Sequence, residues 1–283
     1  MKTLAYMCSL LSFLVLLACQ KEDKNGNNSF QTLKNIEYGP HARNKMDVYL
    51  PSDRSEEKTK VFVWIHGGAW AGGDKGEFEQ IKPAVDSVFS DYAYVSLNYR
   101  LFNSNTNANR FPSQEEDIKL ALEFISSKLS EWKISNKVII AGASAGGHLA
   151  LLQAFKHNQS GLIKACAAYY PPTELTSYFS YSIFSTAVLH GILNGNPSQR
   201  PEEYYQSSPV NFITSESVPT LFFHGTADDV VPIEQSYLLQ EKLEEHNVPH
   251  DYIYFEGAGH AFSSEDAQIT VRSMRDFVKE LGL

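Results

Sequence analysis

The chain has 283 residues, 43% of them hydrophobic and 20% charged, the balance of a globular protein with one substantial core rather than of a disordered one. Its formal net charge is −9. With no basic patch interleaved with aromatics, that charge argues against a nucleic-acid partner.

At the start, Lys2 supplies a basic end and Leu10 to Leu17 a short apolar run, too short to span a membrane as a helix. Leu16-Leu17-Ala18-Cys19 follows and resembles a bacterial lipobox, which implies a lipoprotein signal peptide over 1–18 and a lipid anchor at Cys19. The polar, Asn-rich stretch 19–30 is expected to be a flexible tether, and its acidic pair Glu22-Asp23 resembles surface-export signals of some Gram-negative lipoproteins. The expected location is therefore the bacterial envelope, on the periplasmic face or the cell surface. The three cysteines are Cys8, Cys19 and Cys166, so residues 31–283 cannot hold a disulfide framework. Cys166, in an apolar strand pattern, reads as a small buried hydrophobe.

From residue 31 the pattern opens with an antiparallel pair, 32–38 and 45–50, closed by the turn Pro51-Ser52-Asp53. Strands at 61–65, 93–97, 138–141, 164–169, 220–223 and 251–255 then alternate with helices at about 78–89, 113–129, 145–156, 233–246 and 267–281, the signature of a mostly parallel sheet flanked by helices. Ser113, three residues before Glu116, is positioned to cap the second helix through a capping box. Residues 173–214 break the alternation. They carry Tyr178, Phe179, Tyr181, Phe184, Tyr204 and Tyr205 and are expected to form a cap over the site, some of these aromatics lining a pocket.

Three strand ends carry chemistry. Gly142-Ala143-Ser144-Ala145-Gly146 lies between a strand and a helix pattern, the setting of a nucleophile elbow that holds a serine hydroxyl clear of the sheet. Side chains at Gly142 or Gly146 would collide with backbone, and Ser144 is expected to be strained. His224-Gly225-Thr226-Ala227-Asp228 and Gly257-Ala258-Gly259-His260 follow further on. A serine hydroxyl needs a base, here His260, and the imidazole needs an orienting carboxylate, Asp228 or its neighbour Asp229. The order Ser, Asp, His is that of α/β-hydrolases. Upstream, Val61–Ile65 runs into His66-Gly67-Gly68-Ala69-Trp70. His66 reads as a brace for this loop. His148 and His224 fall on the elbow helix and a strand end, and His41, His157, His190, His246 and His250 read as surface or turn residues.

On these motifs, and on Met46-Asp47-Val48-Tyr49-Leu50-Pro51, Asn98-Tyr99-Arg100-Leu101 and Val231-Pro232, the chain resembles the α/β-hydrolase superfamily. It is most similar to small esterases with an HGG-type oxyanion loop: the hormone-sensitive-lipase-like, feruloyl- and acetyl-xylan-esterase-like, and arylformamidase-like groups. The resemblance implies an α/β-hydrolase fold with a small cap insertion. It favours Asp228 over Asp229 as the acid and implies oxyanion donors at Gly68 and Ala69, beside the Ala145 amide that follows the nucleophile. The related loops usually carry glycine at the position of Ala69. The expected function is a serine carboxylic-ester hydrolase of small or carbohydrate-linked acyl esters, of acetyl or feruloyl type. Two alternatives stand: an arylformamidase-type amidase with the same triad, and a non-catalytic glycan-binding lipoprotein. No metal-ligand spacing occurs, and neither a metal nor a cofactor is expected.

Overall fold

The computed structural model describes residues 28–283. The expected signal peptide over 1–18, Cys8, the expected anchor at Cys19 and all but the end of the expected 19–30 tether lie outside the described residues. Strands β1 (Gln31–Glu37), β2 (Lys45–Leu50), β3 (Val61–Ile65), β4 (Ala93–Leu97), β5 (Val138–Ala143), β6 (Ile163–Tyr169), β7 (Thr220–Gly225) and β8 (His250–Phe255) form one sheet in the order β1-β2-β4-β3-β5-β6-β7-β8. β1, β2 and β4 pair antiparallel, and every other pairing is parallel. This is the α/β architecture read from the alternation of patterns.

Both faces of the sheet are covered, which is why its central strands read as unbroken apolar runs rather than alternating ones. Helices α2 (Ser113–Trp132), α3 (Ala145–Lys156) and α7 (Glu234–Glu245) take one face. There Val61, Val63 and Ile65 pack with Ile118, Ile125, Leu149 and Leu239. Helices α1 (Phe78–Phe89) and α8 (Ser264–Glu280) take the other. There Phe62 and Trp64, the alternate residues of β3, pack with Phe78, Val85 and Met274. Cys166 is buried in the first of these layers, and burial pushes its thiol pKa up.

One sequence expectation needs correction. Ser113 does not cap α2: it is the first residue of the helix, Pro112 occupies the cap position without a side-chain bond, and Glu116 pairs with Arg100 instead. With proline at the cap position there is no cap N–H for a glutamate side chain to accept from and no cap side-chain oxygen, so a capping box cannot form. The 173–214 segment, which breaks the alternation, folds into α4 (Leu175–Phe179), α5 (Ile183–Ile192), α6 (Pro201–Gln206) and a short 3-10 turn, Pro209–Phe212. These helices are too short to show periodicity by themselves and are ordered by tertiary packing. Among the described residues no helix is long and apolar enough to cross a membrane.

The antiparallel edge is fastened by a buried charge. Asp47 on β2 accepts from the Asn35 amide at 2.8 Å, where β1 bulges with Asn35 at φ 56°, and pairs with Lys75 at 2.7 Å and Lys34 at 3.1 Å. Burial alone would raise the Asp47 carboxyl, but the Asn35 amide and the two lysines outweigh it and hold the carboxyl below its usual range. Replacing Asp47 by Asn leaves the buried Lys75 ammonium without its counter-charge. The expected loss is about 3 kcal/mol of unfolding free energy, read as a lowered urea midpoint. An unchanged midpoint would show that the pair contributes nothing.

Candidate active site

The parallel strands all end on one side of the molecule, and the loops leaving β3, β5, β6, β7 and β8 converge there, as the topology of open α/β sheets requires. Ser144 sits between β5 and α3 at φ 54°, ψ −122°. A Cβ at Gly146 would lie 2.2 Å from the Ile65 carbonyl oxygen, and one at Gly142 would lie 2.4 Å from the Gly146 carbonyl carbon. Only glycine at both positions lets the helix start this close to the sheet. The turn is fixed by the Ser144 amide donating to the Tyr169 carbonyl at 2.8 Å and the His148 amide to the Ser144 carbonyl at 2.9 Å. The strain at Ser144, of order 1–3 kcal/mol, is borne by this packing.

Ser144, His260 and Asp228 meet. His260 Nε2 is 3.0 Å from Ser144 Oγ, and His260 Nδ1 is 2.7 Å from Asp228 Oδ2. Nδ1 faces a carboxylate and therefore carries the ring hydrogen, which leaves Nε2 as the acceptor for the serine hydroxyl. Asp229 is exposed, whereas Asp228 is 6% exposed. The other oxygen of Asp228 accepts from the Val230 and Val231 amides, each at 2.9 Å. His224 Nε2, 2.9 Å from the Val231 carbonyl, also lies 3.3 Å from Asp228 Oδ2. Burial raises the Asp228 pKa, but His224, His260 and the Val231 amide more than offset it and hold the carboxyl well below the usual range. The carboxylate is therefore ionised at neutral pH. The contact from His224 had no signal in the sequence beyond its place at a strand end.

The loop after β3 turns with Gly68, Ala69 and Trp70 at φ 103°, 51° and 56°. The Gly68 carbonyl accepts from the Ala71 and Gly72 amides at 3.0 and 2.8 Å. Ala69 thus holds a left-handed conformation that glycine would adopt more cheaply. Arg43, which the sequence did not single out, donates to the Gly73 carbonyl at 2.9 Å and to the Tyr99 carbonyl at 3.1 Å. The Tyr99 hydroxyl reaches the His66 carbonyl at 3.0 Å. His66 lies against Tyr99 with ring centroids 4.4 Å apart, its Nδ1 donating to the Gly67 carbonyl at 2.8 Å, so it is a brace as read from the sequence. Trp70 Nε1 donates to His148 Nδ1 at 3.2 Å, and His148 Nε2 donates to the Ser207 carbonyl at 2.7 Å. One buried imidazole thereby links the loop, α3 and the cap segment. His157 is not a free surface residue, since its Nε2 bonds the buried Glu115 carboxylate.

The cleft above Ser144 encloses about 410 Å³ and is walled by Gly68, Ala69, Trp70, Tyr170, Tyr178 and Phe184. Of the cap aromatics, only Tyr178 and Phe184 line it. Phe179 packs on the buried Tyr204, and Tyr205 packs on Phe212 at the surface. The Tyr178 and Tyr181 hydroxyls donate to the Val230 and Asp228 carbonyls at 3.1 and 3.3 Å, tying the cap to the acid loop. Trp70, Tyr170, Pro172 and Val188 are lining residues that sequence reasoning passed over. Two of them had a usable signal, Trp70 in the glycine-rich loop after β3 and Tyr170 immediately after β6.

A mostly parallel sheet with a serine on the strand-to-helix turn after β5 and an imidazole after the last strand is an α/β-hydrolase fold. Solved structures bear this out. A truncated carbohydrate esterase from gut microbiota superposes with a TM-score of 0.74 at 22% identity, covering 91% of this chain and 98% of that one. An acetyl ester-xyloside bifunctional hydrolase from Caldicellulosiruptor lactoaceticus does so with a TM-score of 0.71 at 20% identity, covering 89% and 96%. The chain belongs to the BD-FAE family, whose model matches residues 46–243. It is similar to Esterase LipQ of Mycobacterium tuberculosis, 27% identical over 84% of this chain and 58% of that protein. It is also similar to isoprenylcysteine alpha-carbonyl methylesterase ICME of Arabidopsis thaliana, 26% identical over 82% and 57%. The chain thus spans less than two thirds of the length of these relatives.

Burial lowers the pKa of both His66 and His148 to about 4. In the unfolded chain an imidazole takes up its proton below about pH 6.5. The unfolded state therefore binds more protons between about pH 6.5 and about 4, and stability declines as pH falls through that window. Asp47 and Asp228, with lowered pKa values, lose their contribution only below about pH 4. The expected decline is on the order of 2 kcal/mol per imidazole. In urea titrations from pH 7 to 4.5, His148→Gln has a lower midpoint at pH 7 and a shallower fall with acid. A fall as steep as in the unsubstituted protein would contradict the assignment.

Proposed function

We propose that the protein is a serine carboxylic-ester hydrolase in which Ser144 is the nucleophile, His260 the general base and Asp228 the residue that orients and stabilises the imidazolium. The observation that carries this reading is the unbroken hydrogen-bond path from Ser144 Oγ through His260 to Asp228, at 3.0 and 2.7 Å. Attack by Ser144 Oγ on the ester carbonyl sends the hydroxyl proton to His260 Nε2. The amides of Gly68, Ala69 and Ala145 receive the oxyanion, each donor lowering the barrier by roughly 3 kcal/mol. His260 then protonates the departing alcohol, and water, activated by the same imidazole, releases the acyl group from Ser144.

Small or carbohydrate-linked acyl esters, of acetyl or feruloyl type, are the proposed substrates. The modest cleft of about 410 Å³ and its aromatic walls support a short acyl group. Membership of the BD-FAE family, and the esterase activities in the names of the relatives, support ester over amide. We further propose that Cys19 is lipidated and tethers the domain in the bacterial envelope, supported by Leu16-Leu17-Ala18-Cys19 and the polar stretch behind it.

A fluorophosphonate is expected to label Ser144 covalently, and Ser144→Ala to abolish both labelling and turnover of p-nitrophenyl acetate. Asp228→Asn is expected to lower kcat by roughly three to four orders of magnitude. Faster cleavage of an N-formyl aromatic amide than of the acetate would favour the amidase. Absence of labelling would favour a non-catalytic glycan-binding protein. For the anchor, Cys19→Ser is expected to move the protein from the membrane fraction to the soluble fraction of a bacterial host, and an unchanged distribution would contradict it.

A further inference from the structure

A second cavity, of about 470 Å³, lies between α1 and α8 on the opposite side of Tyr170 from Ser144. Its surface is mainly apolar, with Trp64, Val85, Tyr169, Phe262, Val271 and Met274 among the lining side chains. Ala143 and Tyr170 line both this chamber and the cleft that contains Ser144. Ala143 is the residue before Ser144 and offers only a methyl group, so the tyrosine ring is the substance of the wall. That ring is clamped: its centroid lies 4.6 Å from the His260 imidazole and 5.2 Å from Phe262, which meets it edge-on. Its backbone is held at φ 38° by the Tyr170 amide donating to the Phe223 carbonyl at 2.7 Å. A bulky residue at positive φ is costly and persists only where its surroundings impose it.

We propose that Tyr170 determines acyl-chain length: it shuts the Ser144 cleft off from an apolar chamber that would otherwise accept a saturated acyl chain of about six to eight carbons. The inference rests on Ser144 being the nucleophile. The occupant follows from continuity, since an acyl group bonded to Ser144 Oγ begins beside Ala143 and can extend past residue 170 only into the chamber. It follows also from chemistry, because walls of Trp, Phe, Val and Met reward methylene burial and offer little to a sugar hydroxyl. With the ring in place a straight acyl chain is kept out of the chamber, which is latent.

The test compares kcat/KM for p-nitrophenyl acetate and p-nitrophenyl octanoate. The unsubstituted enzyme is expected to prefer acetate. Tyr170→Ala removes a ring that touches His260 and therefore slows both substrates, but the ratio of octanoate to acetate is expected to rise about tenfold or more. Ala84→Trp, on the chamber side of α1, is expected to leave acetate turnover of the otherwise native enzyme unchanged and to cancel the gain when combined with Tyr170→Ala. If Tyr170→Ala loses its circular-dichroism spectrum, Tyr170→Leu carries the same comparison. An unchanged ratio in a folded, acetate-active variant overturns the partition. So does a native enzyme that cleaves octanoate as well as acetate, or a gain that Ala84→Trp does not cancel. Loss of both activities together with no fluorophosphonate labelling of native Ser144 overturns the esterase reading instead, and this inference with it.

Discussion

The start of α3 approaches the ends of β3 and β5 so closely that no side chain fits between them, and the placement of Ser144 depends on that contact. Glycine at 142 and 146 is the condition for it, with a Cβ at either position falling within 2.4 Å of backbone. The same contact forces the serine into a strained conformation, φ 54°, and lifts its hydroxyl to where the loops from β7 and β8 can reach it. Strand registers such as Ile65 opposite Gly142 and Ala143 opposite Tyr169 then bring the β3 loop and Tyr170 to the same point. Geometry at the site is thus inherited from the sheet rather than built by the loops.

Charge is distributed around this point with economy. Asp228 is the one buried carboxylate at the centre, and the His260 ring, His224 and the Val230 and Val231 amides surround it. The histidines bracing the loop and the elbow helix, His66 and His148, are kept neutral by burial. An imidazole that stays neutral can accept on one nitrogen and donate on the other, which is how His148 joins Trp70 to Ser207. A lysine or a carboxylate in its place would bring a buried charge without a partner.

The shape of the cleft comes from a different source. Tyr178, Phe184 and Val188 from the cap close one side, and Trp70 and Tyr170 from strand ends close others. The cap is fastened to the acid loop through the Tyr178 and Tyr181 hydroxyls, so the roof of the proposed substrate site and the orientation of Asp228 are mechanically linked. Binding chemistry and proton chemistry share parts of one scaffold.

Much of this was legible in the amino-acid order alone. The α/β class followed from apolar runs alternating with helical periodicity, because a strand covered on both faces must be apolar throughout. Ser144, His260 and the 228/229 pair were legible because each follows a strand and is flanked by glycines that only a tight approach explains. The resemblance favoured Asp228 over Asp229, and the tertiary structure sets Asp228 against His260, since adjacent residues differ in burial only once the loop is folded. The tertiary structure alone showed that Ser113 is not a cap, that residues 173–214 are helical, and that Arg43, His224 and Tyr170 stand at the site. Arg43 and Tyr170 meet partners tens of residues away in the chain, and for His224, whose partners Asp228 and Val231 are close by, a place at a strand end does not say which atoms it touches; these contacts come into being only when the sheet assembles.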